Sequence, residues 1–211
     1  MIKNFIFDID RTLIDSYTNE LETLKEALLV VTGNTYSDEV MNRLTILTTD
    51  EFFEKLGIDK DSDIMKNINY YWGEFLEKRK LHFFDGIQKL LLNLKEKGCF
   101  LGIVTSRTEA EVNELDELLE YINLFDIVIT SDKVKSPKPD PESINIIIDK
   151  FNLNREETIY IGDSESDSLA AYNSFVSFGY ASWENENVIS KYDYLFEKPD
   201  DINKLINNIN Y

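Results

Sequence analysis

The chain has 211 residues, 43% of them hydrophobic, enough to bury one sizeable core with room for an insertion. Its 40 acids against 22 bases leave a net charge of −18, which repels nucleic acid and anionic lipid and demands a locally positive pocket for any anionic ligand. No apolar run reaches the length of a membrane span. The start, Met1-Ile2-Lys3-Asn4-Phe5, reads as a strand rather than a leader, and Cys99 is the only cysteine, so a cytoplasmic location without internal disulfides is expected.

In chain order, Ile2 to Asp8 reads as a first, buried strand. From about Tyr17 to Lys80 only helical patterns follow. Leu21, Leu24, Leu28 and Val31 share one face. Thr48-Thr49-Asp50-Glu51 resembles a capping box opening a helix with Phe52, Phe53 and Leu56 that Gly57 closes. Ile64, Ile68, Tyr71, Trp72, Phe75 and Leu76 mark a further apolar stripe. After Phe84-Asp85-Gly86, strands and helices alternate: helix Ile87 to Lys97, strand Phe100 to Thr105, helix Glu109 to Tyr121, strand Phe125 to Thr130. Pro141 is expected at the first position of helix Glu142 to Phe151. Strand Thr158 to Ile161, helix Ser166 to Tyr172, short strands near Val176 and Tyr194, and helix Asp200 to Ile209 complete the pattern. Such alternation predicts an α/β fold, a Rossmann-like doubly wound parallel sheet. Residues 1–15 and 82–211 form its catalytic core. Residues 16–81 are an inserted helical cap that enters and leaves at the carboxyl end of the sheet, where it is expected to act as a lid.

Four short stretches carry the chemistry. Asp8 and Asp10 follow the first strand in Asp8-Ile9-Asp10-Arg11-Thr12, and Thr105 follows the run Leu101 to Val104. Lys138 lies between prolines in Ser136-Pro137-Lys138-Pro139, and Gly162-Asp163-Ser164-Glu165-Ser166-Asp167 follows Ile159-Tyr160-Ile161. Ligands of open α/β sheets bind at the carboxyl ends of the strands, so these groups should converge on one spot. Carboxylates crowded together repel unless a cation sits among them, which implies a divalent metal. An aspartate nucleophile for phosphoryl transfer fits the set.

The order Asp-x-Asp-x-Thr, then Thr, then Lys, then Gly-Asp-x-x-x-Asp resembles the haloacid dehalogenase superfamily over essentially the whole chain. With its helical insertion, the chain is similar to the phosphoglycolate phosphatase and β-phosphoglucomutase branch. The resemblance implies a Mg²⁺-dependent phosphatase of a small phosphorylated metabolite, with no nucleic acid or membrane partner and no statement of oligomeric state. By it Asp8 is the nucleophile and Asp10 the general acid and base. Thr105, with Ser106, contacts the transferring phosphoryl group, and Lys138 neutralises that group and orients Asp8. Asp163 binds Mg²⁺ with Asp8 and the backbone carbonyl of Asp10, while Asp167 acts behind them or through water. Thr12 should cap its turn, Glu165 should face solvent, and Cys99 should be packed and inert. A phosphomutase sharing every catalytic group, or a non-catalytic binder on the same fold, remains open.

Arg11 departs from the pattern, since most relatives carry glycine there. Either the position accepts ordinary torsions and Arg11 points to solvent, or Arg11 reaches a second anionic group of the substrate. Arg43, Thr45 and Lys55 lie where relatives often place substrate contacts; Trp72 and Tyr71 are expected in the cap's own core. His82, the only histidine, stands just before the core resumes.

Overall fold

The computed structural model describes residues 1–44, 49–183 and 189–206. The chain divides into two compact units, one of residues 1–15 with 81–211 and one of residues 16–80.

In the first unit the strands are β1 (Asn4–Phe7), β2 (Phe100–Val104), β3 (Ile127–Ile129), β4 (Thr158–Gly162), β5 (Ser177–Ala181) and β6 (Tyr194–Phe196). They form a six-stranded sheet in the order β3-β2-β1-β4-β5-β6, and every neighbouring pair is parallel. Parallel strands are buried on both faces, which is why β1, β2 and β4 are near-continuous apolar runs. Alternate residues feed opposite faces. Phe5, Phe7, Ile103 and Ile161 pack with Ile87, Leu90, Leu91 and Leu94 of α5 (Ile87–Glu96). Ile6, Val104, Tyr160 and Phe178 pack with Ile144, Ile147 and Ile148 of α8 (Glu142–Phe151) and with Ala170 and Ala171 of α9 (Glu165–Asn173).

The second unit is helical: α1 (Tyr17–Thr32), α2 (Asp38–Leu44), α3 (Thr49–Lys55) and α4 (Asp63–Lys78). Its own core joins Leu24, Ala27 and Leu28 of α1 with Met41, Phe52, Phe53, Ile58, Met65 and Ile68. Trp72 packs against this cluster, and its Nε1 donates to Thr23 Oγ1 at 3.2 Å. The apolar stripe of α4 is rotated from the expected one. Ile64 and Tyr71 are exposed, while Met65 takes a buried place. The capping box expected at Thr48 falls on a residue outside those described.

Beyond strand ends that move by one or two residues, three elements differ from expectation. The helix expected over Glu109 to Tyr121 is two pieces, α6 (Glu109–Val112) and α7 (Asp116–Tyr121). Val112, Leu115 and Leu118 are all buried. In a continuous helix, steps of three fall short of a full turn, and the three side chains would drift around the axis; the break at Leu115 lets them all face the core. Pro141 is the residue before α8 rather than its first, with Asp140 Oδ1 accepting from the Glu142 N–H at 2.9 Å. The last helix is a 3₁₀ segment, Pro199–Leu205, and Ile209 lies outside the described residues.

Candidate active site

Strand β1 is where the sheet order reverses: β2 and β3 lie to one side, β4 to β6 to the other. A doubly wound sheet opens its ligand crevice at such a point, at the carboxyl ends of the strands. Asp8 follows β1, Thr105 follows β2 and Asp163 follows β4, so three adjacent strands each deliver one polar group there. The backbone continues the ladder into these groups: the Asp8 N–H donates to Ile161 O at 2.9 Å and the Thr105 N–H to Ile129 O at 3.1 Å. All three side chains are buried, Asp163 the least so.

Lys138 is the hub. Its Nζ donates to Asp8 Oδ1 at 2.8 Å, Asp167 Oδ1 at 2.6 Å and the Tyr160 hydroxyl at 3.2 Å. An ammonium has three donors, so all of them are committed to the protein. In this structure Lys138 therefore orients Asp8, and no N–H is left over for a phosphoryl oxygen. Tyr160 supplies the third contact from the middle of β4, and its single proton faces Val104 O at 3.1 Å and Asp167 Oδ1 at 2.9 Å. Burial, then the nearby Asp167 and Asp8, raise the Tyr160 phenol well above its ordinary value, so it stays a donor. Asp167 is fully buried and tied at both oxygens. Its Oδ2 accepts from Ser164 N at 3.1 Å and Ser164 Oγ at 2.5 Å, the capping box that opens α9.

Gly162 makes room for this carboxylate: a Cβ there would stand 2.6 Å from Asp167 Cγ, inside van der Waals contact.

Carboxylate oxygens of Asp8, Asp163 and Asp167 lie within 4.8 Å of one another. Lys138 bridges two of these acids, Asp8 and Asp167, and Arg11 stands beside the third, Asp163. Burial pushes the Asp8 carboxyl up to about 8, with Lys138 pulling it down and Asp167 pushing it further up. Burial would lower Lys138, but Asp8 and Asp167 beside it hold it above its ordinary value. The surplus negative charge and the all-oxygen donor set fit a hard cation. The carboxylate of Asp10 is not part of this group.

Arg11 does not adopt ordinary torsions and point to solvent. Its φ is +57°, the left-handed region, so the position keeps the backbone of a glycine while carrying a side chain. Its Nε lies 3.3 Å from Asp163 Oδ2, against the acid cluster, and its side chain is largely buried. Asp10 is instead gripped by an arginine that sequence reasoning missed: Arg107 Nε donates to Oδ2 at 2.8 Å and Nη2 to Oδ1 at 2.6 Å. Arg107 and Tyr160 each left a signal. One is a cation two residues past the strand-end Thr105; the other is a hydroxyl inside a strand buried on both faces, which has to find partners.

The remaining expected groups are scattered. Thr105 Oγ1 accepts from the Arg107 N–H at 3.1 Å, which leaves its own proton free to donate. Ser106 is exposed. Thr12 does not cap its turn: its side chain is fully buried, and its hydroxyl has no hydrogen-bond partner. Glu165 is exposed, Lys55 is exposed, and Cys99 is buried, which raises its thiol. His82 is exposed beside Glu117, its Nδ1 3.1 Å from Oε2. Arg43 lies in α2, but its side chain, like Thr45, is outside what the structure describes.

The chain resembles known proteins over most of its length. The family profile described as "Haloacid dehalogenase-like hydrolase" matches residues 5–181. A phosphoglycolate phosphatase of Vibrio cholerae is 30% identical over 189 residues, 84% of each chain. The pyrophosphatase PpaX of Bacillus velezensis is 29% identical over 93% of each. A hydrolase structure of the same superfamily from Geobacter sulfurreducens superimposes with a TM-score of 0.76 at 24% identity, covering 97% of this chain and 96% of that one. A family match that spans five of the six strands, from β1 through β5, and a relative of that identity agree with the strand order and with the motifs at the strand ends. The chain belongs to the haloacid dehalogenase-like hydrolases.

Proposed function

We propose that the chain is a Mg²⁺-dependent phosphatase that hydrolyses a small phosphate monoester through an aspartyl-phosphate on Asp8. The observation that carries this reading is the buried Asp8 carboxylate at the end of the central strand, fixed by Lys138 inside a cluster of three acids. The names of the relatives, a phosphoglycolate phosphatase and a pyrophosphatase, point to small anionic phosphates.

Asp8 attacks phosphorus, and Lys138 holds its carboxylate at one oxygen so that the other can reach the substrate. Thr105, its lone pair already engaged by Arg107, donates its proton to a phosphoryl oxygen. Asp10 gives a proton to the leaving oxygen and then takes one from the attacking water. Asp8 and Asp163, with the backbone carbonyl of Asp10, would hold Mg²⁺, and Asp167 supports them from behind through Lys138 and Ser164. When bound, the cation would supply positive charge that keeps Asp8 ionised and offsets the phosphate. Ser106 and Arg43 are assigned to substrate contact on the resemblance alone. With one cysteine and no described helix long and apolar enough to cross a membrane, a cytoplasmic enzyme is the reading that fits.

Turnover of p-nitrophenyl phosphate tests the assignment. Mg²⁺ should support it and EDTA abolish it, while Asp8→Asn should fall to near background with an unchanged circular dichroism spectrum. Activity of Asp8→Asn above about a tenth of wild type would end the covalent reading, since removing a nucleophile costs several orders of magnitude.

A further inference from the structure

Each acid of the buried cluster meets a protein group at an oxygen. Lys138 Nζ donates to Oδ1 of Asp8 at 2.8 Å and to Oδ1 of Asp167 at 2.6 Å, and Ser164 donates to Oδ2 of Asp167. At Asp163 the facing group is Arg11, whose Nε lies 3.3 Å from Oδ2. The two side chains are 9% and 29% exposed, so solvent and salt screen this ion pair weakly.

The backbone sets Arg11 in that place. Its N–H donates to Ile14 O at 2.8 Å, while the Leu13 and Ile14 N–H groups both donate to Ile9 O at 2.9 Å. The turn after Asp8 is thus closed on itself, and the left-handed φ of +57° brings the side chain to the acid at the end of β4. Tyr180 is buried and pairs with Gly162 in the register of β5 on β4. It senses both groups: burial and then Asp163 hold its phenol above the ordinary value, and Arg11 works against them.

A carboxylate binds a metal ion through one oxygen or through both. Ca²⁺ accepts either mode, because it gathers about six to eight oxygens in loose geometry. Mg²⁺ is smaller, takes about six in a near-ideal octahedron and keeps several waters, so single oxygens suit it. The preference of an acid cluster therefore depends on how many of its carboxylates can turn both oxygens to the ion. Lys138 opposes that turn at Asp8 and, with Ser164, at Asp167. A glycine at position 11 would put no such group against Asp163.

We infer that Arg11 is a positioning residue that selects Mg²⁺ over Ca²⁺ by holding one oxygen of Asp163 back from two-oxygen binding. This rests on the Mg²⁺ site proposed above. The charge of Arg11 repels both ions alike and lowers both affinities. What separates them is the ligand oxygen withheld, which Ca²⁺ would use and Mg²⁺ would not.

The experiment is calorimetric titration of the chelator-treated, dialysed protein with Mg²⁺ and, separately, with Ca²⁺, in wild type, Arg11→Gly and Arg11→Asn. The readout is the ratio of the two affinities, in which a loss of charge or a general loosening of the fold cancels. In Arg11→Gly the ratio should move about tenfold toward Ca²⁺, the low end of the 10–100-fold by which groups behind the ligands commonly tune metal affinity. Asn also tolerates the left-handed backbone and keeps an L side chain without the charge, so Arg11→Asn should move the ratio in the same direction. An unchanged ratio in Arg11→Gly overturns the inference. A shift in Arg11→Gly alone overturns it too, because it would belong to the relaxed turn and not to the lost guanidinium. Wild-type protein that binds neither ion would instead remove the metal site itself, a result distinct from wild-type binding with an unmoved ratio.

Discussion

Arg11 carries two opposed costs in one residue. Its φ of +57° is a conformation that glycine adopts freely and an L side chain resists by roughly 1 kcal/mol. Its guanidinium, 3.3 Å from Asp163, lies against the acid cluster proposed to hold a cation. Replacing it by glycine relieves the backbone but frees the unfolded chain by about 0.4–1 kcal/mol, so stability should barely move. Metal binding should change instead. Calorimetric titration of Arg11→Gly with Mg²⁺ should show an affinity several-fold above wild type, because a resident positive charge has left Asp163. Equal affinities would mean that Arg11 merely rests on the acid. What the residues revealed beforehand follows from their surroundings. Asp8, Thr105 and Asp163 were legible because each ends an apolar run, and a buried strand fixes where the next side chain goes. Arg11 and Arg107 were not, since a long cationic side chain chooses among several acids within reach, and only the folded loops decide which.

At the scale of elements, the turn from α9 to β5 shows the same glycine-like geometry with less reason. Phe175 has φ +56° and is 83% exposed, so it gains almost no burial for its strain. Bulky residues are outliers in this region, where glycine commonly ends a helix. Phe175→Gly should stabilise the protein by about 0.5–1 kcal/mol, strain relief outweighing the added freedom of the unfolded chain. Urea denaturation should show a higher midpoint with an unchanged slope; a lower midpoint would mean that Phe175 packs in a way its exposure does not suggest. Most elements could be read from apolar periodicity, including all the strands that carry the site. The failures have local causes. Nothing in Glu109 to Tyr121 is a helix breaker, so the interruption at Leu115 came from tertiary packing of Val112, Leu115 and Leu118, which no one-dimensional pattern contains. On α4 several apolar residues compete for one stripe, and pattern alone could not choose Met65 over Ile64.

At the scale of the molecule, the acid cluster should make stability depend on pH in a direction opposite to the usual carboxylate. Asp8 is pushed from 3.8 up to about 8 in the folded chain, chiefly by burial. A carboxyl held above its unfolded value binds its proton more tightly when folded. Its contribution is complete below about pH 3.8 and is lost as pH climbs through about 8. Lys138, raised above its ordinary value, stays charged across this window and adds no slope there. The chelator-treated protein should therefore melt at falling temperature as pH rises from 3.8 to about 8, the interval between the two Asp8 values. Asp8→Asn should flatten that fall and Mg²⁺ should offset it. A rising melting temperature over the same range in the chelator-treated protein would show that Asp8 stays ionised without a cation.

The two connections that lead out of the sheet unit lie side by side. Ile14 bridges Phe83, the Asp15 N–H donates to His82 O at 2.9 Å, and the Phe84 N–H donates to Leu13 O at 3.0 Å. Whatever is spliced between them starts and finishes at one doorway. The core thus treats the intervening stretch as a cartridge, closed at its base by the core's own hydrogen bonds. Exchanging a sixty-odd-residue cartridge for a four-residue turn shortens the closed loop by about four doublings, worth roughly 2.5 kcal/mol in closure entropy. A scaffold with such a socket can trade one insert for another without redesigning its sheet.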